Sequence, residues 1–338
     1  MSAFIPGSKD LKPFEIHTPS GPHASRSTSE ACRICGSNGA SRTVEAREHM
    51  YGTSESFRYV QCLGCGVLYL ASPPADMARF YPADSYYSVR GMRGALRRWA
   101  MEARDKSYVG ESLLGRLLAK RFPNSAIAST VALAKGRKSR ILDVGCGSGD
   151  LLKSMARLGY VNLVGVDPLL QGSTLSDGVQ LHGGEIADVP GQFDLVCFHH
   201  SLEHIADQVG VLQQAASKLA PDGSVLVRVP TSECLAFTLF GEHWFQIDAP
   251  RHLYLHSQKS LEIVANAAGL EAVSFSRDSQ PMQFWASQLY ADGHSLVSPQ
   301  AKAYAARYST RFYRRLSAWL NEQGQGDQMV VRLRPLWA

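Results

Sequence analysis

The sequence predicts an α/β protein built on a mostly parallel, doubly wound sheet, with a small metal-stapled module ahead of it. Three observations carry this expectation. Residues 139–152 read SRILDVGCGSGDLL, a buried-strand pattern that runs through a glycine-rich turn into a helix. Strand-like and helix-like segments alternate after it, an order that requires parallel strands joined by crossover helices. Four of the seven cysteines form two matched pairs, Cys32-x-x-Cys35 and Cys62-x-x-Cys65.

Composition sets the outer bounds. At 338 residues the chain has the length of about two domains. Its 45% hydrophobic and 19% charged residues exclude a mostly disordered chain. No apolar run reaches the ~18–20 residues of a spanning helix. A net charge of +5 allows an acidic substrate without demanding nucleic acid. Residues 1–30 are polar, rich in Ser and Pro, and lack a secretory apolar core. They read as the disordered leader of a cytoplasmic protein.

In residues 31–70 each cysteine pair is followed by a glycine, Gly36 or Gly66. A two-residue gap turns both thiolates toward one point, and two such knuckles complete a tetrahedral shell for structural zinc on Cys32, Cys35, Cys62 and Cys65. The alternation in residues 57–60 suits the arms of a zinc ribbon. Disulfides fit poorly in a chain without a secretion signal, and a redox switch would not need two matched knuckles. A filled shell has no open position for water, so no chemistry is expected of this metal. Residues 71–127 read as a helical linker or lid, with Leu96, Trp99, Leu113, Leu114, Leu117 and Leu118 at helical spacing, interrupted at Gly110 and Gly115. Arg90, Arg93, Arg97, Arg98 and Arg104 make it the most basic stretch, either a solvated face or a clamp for substrate phosphates.

The glycine-rich turn decides the class. Ile141, Leu142 and Val144 form its strand, and Leu151, Leu152, Met155 and Leu158 follow at helical spacing up to Gly159. Glycines let the backbone turn tightly and a ligand approach without a Cβ in the way. With Asp143 at the strand end, the Gly-x-Gly-x-Gly spacing resembles motif I of class I S-adenosylmethionine-dependent methyltransferases. Further segments match in register. Residues 163–167 resemble the family's second strand, 184–186 its adenine-contacting loop, 193–198 its fourth strand, and 219–229 a helix-turn leading into the fifth. The resemblance spans roughly residues 128–276. It implies a Rossmann-like domain over residues 128–338 with a seven-stranded, mostly parallel sheet of order 3-2-1-4-5-7-6, and S-adenosylmethionine as cofactor. It also implies cofactor contacts from Asp143, Gly145, Cys146, Gly147, Gly149, Asp167, Pro168, Glu185, Ile186 and His199, with Asp167 on the ribose hydroxyls. The rival, a nicotinamide-binding Rossmann site, loses ground because Asp150 stands where its fingerprint needs the last glycine.

Ligands of such sheets bind beyond the carboxyl ends of the strands. Strand four ends in His199-His200-Ser201-Leu202-Glu203-His204. A sulfonium methyl is already activated, so the protein has to align the acceptor and, for an oxygen acceptor, remove its proton. Histidine suits that role. His200 is the favoured base, His252 the fallback, and His199 and His243 further candidates. His200, Glu203 and His204 would share one helical face and could together hold a divalent ion. Residues 240–254, FGEHWFQIDAPRHLY, resemble the Pro-x-His-Leu loop of methyltransferases from bacterial polysaccharide and secondary-metabolite pathways. That loop is expected to cover the acceptor pocket, before a helix capped by Ser257.

Residues 270–275 read as strand six and 330–333 as strand seven, with an insertion helix at about 300–321 between them. The reading is O-methylation of a sugar hydroxyl on a small-molecule or glycan acceptor that can carry phosphate. Carbon methylation of a deoxysugar and methylation of rRNA or tRNA are the alternatives. The latter fits poorly, because base N-methylating enzymes resemble Asn/Asp-Pro-Pro-Tyr where this chain has His199-His200-Ser201. Nucleic acid and membrane surface are not expected partners, and a monomer or a homodimer is expected.

Overall fold

The computed structural model describes residues 31–81 and 95–336. The expected leader and the linker residues Arg90 and Arg93 lie outside the described residues. The strands are β1 (Ser41–Arg47), β2 (Ser56–Cys62), β3 (Leu68–Leu70), β4 (Arg140–Val144), β5 (Asn162–Asp167), β6 (Ser173–Ser176), β7 (Val179–Gly183), β8 (Phe193–His199), β9 (Leu219–Pro230), β10 (Tyr254–Leu255), β11 (Leu270–Arg277) and β12 (Gln328–Pro335). The α-helices are α1 (Ala95–Lys106), α2 (Leu113–Arg121), α3 (Ser125–Leu133), α4 (Asp150–Arg157), α5 (Gln208–Ser217), α6 (Leu235–Phe240), α7 (Gln258–Ala267), α8 (Met282–Ala291), α9 (Ala301–Tyr308) and α10 (Arg311–Glu322).

The main sheet runs β11-β12-β9-β8-β4-β5-β7-β6. β4 pairs in parallel with β5 and β8, Ile141 lying opposite both Leu163 and Leu195. Only β12 and the edge strand β6 run against their neighbours. The expected seven-strand order is present, and β6 extends it by one antiparallel strand. Strand alternation sorts the core into two layers. Leu142, Val144, Val196, Phe198, Val225 and Val227 face Leu212 of α5 and Leu261 and Val264 of α7. Ile141, Leu163, Leu195, Cys197 and Leu226 face Ile127 of α3 and Leu152 and Met155 of α4. Both faces are covered, which is why these strands read as continuous apolar runs.

β1, β2 and β3 form an antiparallel sheet whose fourth strand, β10, comes from the loop after β9. This pairing, Tyr254 opposite Tyr69, ties the cysteine-bearing module to the loop expected over the acceptor. Two other expectations are corrected. Residues 219–224 do not form a helix-turn; they are the first half of β9. The insertion helix is two helices, broken where Thr310 adopts an extended backbone after Ser309. Ser and Thr favour such breaks, because their side chains compete for backbone partners. Tyr308, Tyr313 and Leu320 of this pair pack with Phe284 of α8. No helix among the described residues is long and apolar enough to cross a membrane.

Candidate active site

The turn from β4 to α4 holds Gly145, Gly147 and Gly149 at φ 75°, 54° and 76°, the left-handed region that glycine adopts freely. A Cβ on Gly145 would stand 2.4 Å from the Ser201 Cβ, and one on Gly149 2.8 Å from Leu181 Cδ2. These two glycines therefore let neighbouring chain pack close, a role distinct from the ligand clearance read in the sequence. Asp167, at the end of β5, accepts the Gly147 N–H at 2.8 Å and the Leu169 N–H at 2.9 Å. Asp143, at the end of β4, is buried, and its Oδ1 has no hydrogen-bond partner among the described residues. Burial, and then the charge of Asp167, push its carboxyl up to about 8. A buried carboxyl with a vacant oxygen beside a glycine cradle suits a ligand bearing hydroxyl or ammonium donors, and so fits the expected cofactor. Cys146 is half-buried beside it, and Pro168 is exposed just past Asp167. Glu185 caps a short turn through Asp188, while the Ile186 side chain joins the core.

The tip of β8 sorts its histidines by environment. His199 is half-buried, with Nε2 2.9 Å from Thr130 Oγ1. Burial, and then the charges of Arg228 and His200, hold it down to about 3. His200, at φ 55°, turns outward with its side chain 29% exposed and Nδ1 3.2 Å from Glu203 Oε1. Glu203 is fully buried, and its Oε2 has no hydrogen-bond partner among the described residues. Burial opposes its charge, but the hydrogen bond from His200 and the fields of His200, His204 and His252 outweigh that and hold it down to about 2.

Residues 202–204 form a single 3-10 turn. The expected α-helical face joining His200, Glu203 and His204 is thus absent. The ligand atoms that converge within 4.8 Å belong to Glu203, His204 and His252. His204 Nδ1 donates to the Arg251 carbonyl at 2.9 Å and His252 Nδ1 to the Gln246 carbonyl at 2.6 Å. His252 is buried with Nε2 3.9 Å from Glu203 Oε1. His243 is grouped elsewhere, 5.9 Å from the ring of His49, which stacks on Tyr290.

Sequence reading missed the groups that hold this loop. Arg251 is fully buried. It donates to Glu48 Oε1 of the small module at 2.9 Å, to both oxygens of Asp248 at 2.7 and 3.0 Å, and to the Phe80 carbonyl at 3.2 Å. The hydroxyl of Tyr59, in β2, donates to the His252 carbonyl at 2.9 Å. The sequence signal for this network was the closely spaced Asp248 and Arg251 in a loop that also carries Trp244 and Phe245.

The four paired cysteines also converge. Sγ–Sγ separations of 3.7 Å join Cys32 to Cys65 and Cys35 to Cys62, and all four ligand atoms lie within 4.8 Å of one another. A tetrahedron with Zn–S bonds of ~2.3 Å has edges of ~3.8 Å, so the donor set fits zinc. A disulfide needs ~2.05 Å.

Comparison with known proteins gives the family. A family model described as a methyltransferase domain matches residues 114–275. The chain is 32% identical over 163 residues to a ubiquinone biosynthesis O-methyltransferase of Ralstonia nicotianae, covering 43% of this chain and 67% of that protein. It is 38% identical over 113 residues to the Xanthomonas euvesicatoria protein of the same name, covering 29% of this chain and 47% of that one. It thus spans between about half and two thirds of these relatives' lengths. The chain belongs to the class I S-adenosylmethionine-dependent methyltransferases. Among solved structures, a Burkholderia thailandensis 1,6-didemethyltoxoflavin-N1-methyltransferase with bound S-adenosylhomocysteine is similar at a TM-score of 0.38 and 18% identity, covering 73% of this chain and 93% of that one.

Proposed function

We propose that this chain methylates a hydroxyl oxygen, with His200 as the general base and a sugar as the acceptor class. The observation that carries this reading is the His200–Glu203 pair. A buried, ionised carboxylate accepts from Nδ1 of a histidine whose ring reaches solvent at the carboxyl end of the sheet. Glu203 thereby fixes the tautomer, leaves Nε2 free to take the acceptor's proton, and stabilises the imidazolium that results. His199, held down to about 3, is a much weaker base. S-adenosylmethionine, when bound, supplies an electrophilic methyl carbon. Asp143 and Asp167, with the Gly145–Gly149 turn, are the groups this reading assigns to holding it. Cys32, Cys35, Cys62 and Cys65 would hold zinc as a structural ion, away from the reaction.

The names of the relatives support transfer to oxygen. The solvent-reaching ring of His200 at the tip supports a hydroxyl-bearing acceptor. A phenolic acceptor is the second reading, favoured by the relatives' ubiquinone names. Mass spectrometry of reactions with nucleotide sugars, glycans and phenols tests the two. Sugar products support the proposal, and methylation of phenols alone replaces it.

A further inference from the structure

An open cleft of about 540 Å³ lies between the end of β11, the end of α10 and the start of α7. That volume is in the range of small-molecule sites. β11 and β9 both run against β12, so they point the same way, and the cleft opens at the carboxyl end of the sheet. Three strand spacings, ~14 Å, separate β11 from β8 and its histidines.

Arg277 defines the chemistry of the cleft. Its side chain is only 9% exposed and lies 3.7 Å from Glu233 Oε2. Nε donates to the Gly324 carbonyl at 3.2 Å, while Nη1 is buried without a hydrogen-bond partner among the described residues. Nη2, held among the described residues only by the 3.7 Å ion pair with Glu233, is the guanidinium nitrogen available to donate to a ligand. The same lining holds Glu233 and Glu322, so two carboxylates stand against one guanidinium, which disfavours phosphate or carboxylate ligands. A metal ion would in turn meet the charge of Arg277. A neutral ligand whose groups both donate and accept answers all of these constraints. Arg277 donates, Glu233 and Glu322 accept, Gln325 does either, and the Phe275 ring supplies an apolar wall for a C–H face.

We propose that this cleft binds a neutral sugar, as a subsite for a glycan acceptor whose methylated residue lies at His200. The binding argument stands on the cleft alone; its link to the acceptor rests on the sugar-hydroxyl reading above. The test uses the full chain with S-adenosylhomocysteine and saturation-transfer NMR, with maltose, lactose and cellobiose as probes and inorganic phosphate and UDP as counter-probes. Glu322 and Gln325 are exposed, so a Glu322→Ala/Gln325→Ala variant should fold normally, as circular dichroism would confirm. At least one disaccharide should bind at millimolar concentration, equally well in His200→Ala, and about tenfold or more weaker in the double variant. No disaccharide binding, binding indifferent to the double variant, or tighter cleft binding of phosphate or UDP would overturn the proposal. Cleft-dependent binding without methylation of any sugar would support the cleft and refute the sugar-acceptor reading. Sugar methylation with no dependence on the cleft would do the reverse.

Discussion

Replacing Arg251 with methionine should destabilise the fold by ~3–5 kcal/mol, the cost of breaking a buried ion pair from one side. The side chains of Arg251 and Glu48 are 0% exposed and that of Asp248 6%, so removal of the guanidinium leaves two carboxylates away from water. Burial opposes the charge on Asp248, and the field and hydrogen bonds of Arg251 keep it ionised. Without them a proton must bind or the loop must open. Glu48 also accepts from the N–H groups of Tyr51 and Thr53, each at 3.0 Å, which places the loss toward the lower end of the range. At ~1.4 °C per kcal/mol for a chain of 338 residues, the thermal midpoint should fall by ~4–7 °C. Urea unfolding of Arg251→Met beside Arg79→Ala measures this. Arg79 pairs with Glu55 in the open, with side chains 50% and 39% exposed, and should lose no more than ~1 kcal/mol. If both variants lose equally little, the buried network is not what joins the small sheet to the acceptor loop.

Three further predictions concern other charged groups and the cysteines. Glu203 is held down to about 2 against an ordinary 4.5, so the stability it contributes is complete above pH 4.5 and drains away toward pH 2. Glu203→Gln should flatten that acid limb in urea midpoints taken across the range, and an unchanged limb would rule the linkage out. Asp143 is raised from 3.8 to about 8, so wild-type stability should decline as pH climbs between those values, and Asp143→Asn should abolish the decline. Calorimetry in buffers of differing ionisation enthalpy should also show a proton released when S-adenosylmethionine binds near neutral pH, and none in the variant. Cys65→Ser should release zinc and loosen the small sheet while leaving cofactor affinity intact; elemental analysis and calorimetry check both halves, and a wild-type chain purified without chelator that carries no metal would refute the first.

The sheet was readable because its information is local. Ile141, Leu142 and Val144, the glycine turn and the capped helix sit within one short stretch, and Asp143 and Asp167 take the strand-end positions expected of them. The pairing of Tyr254 with Tyr69 was not readable, since neither residue's neighbours encode a partner so far along the chain. In the sequence Glu203 read as one of three candidate ligands for a divalent ion, with His200 and His204. It became the anchor of His200 only once β8 and the loop after β9 were packed around it. His199 and His200 are adjacent in sequence, but β8 ends at the first, which is tied to Thr130, and the left-handed backbone of the second turns it toward solvent. The break at Ser309 and Thr310 was hidden by an aromatic stripe that continues across it.

The most direct test is a methyl-transfer assay with S-adenosylmethionine and hydroxylated acceptors, read by mass spectrometry and run in parallel on wild type, His200→Ala and His199→Ala. Wild type should add a methyl group to a hydroxyl-bearing sugar. His200→Ala should lose ~10²–10⁴ in turnover with unchanged cofactor affinity, and His199→Ala should lose far less. Near-normal turnover in His200→Ala, under conditions where chemistry limits the rate, would contradict the assignment of the base and with it the reading of this site.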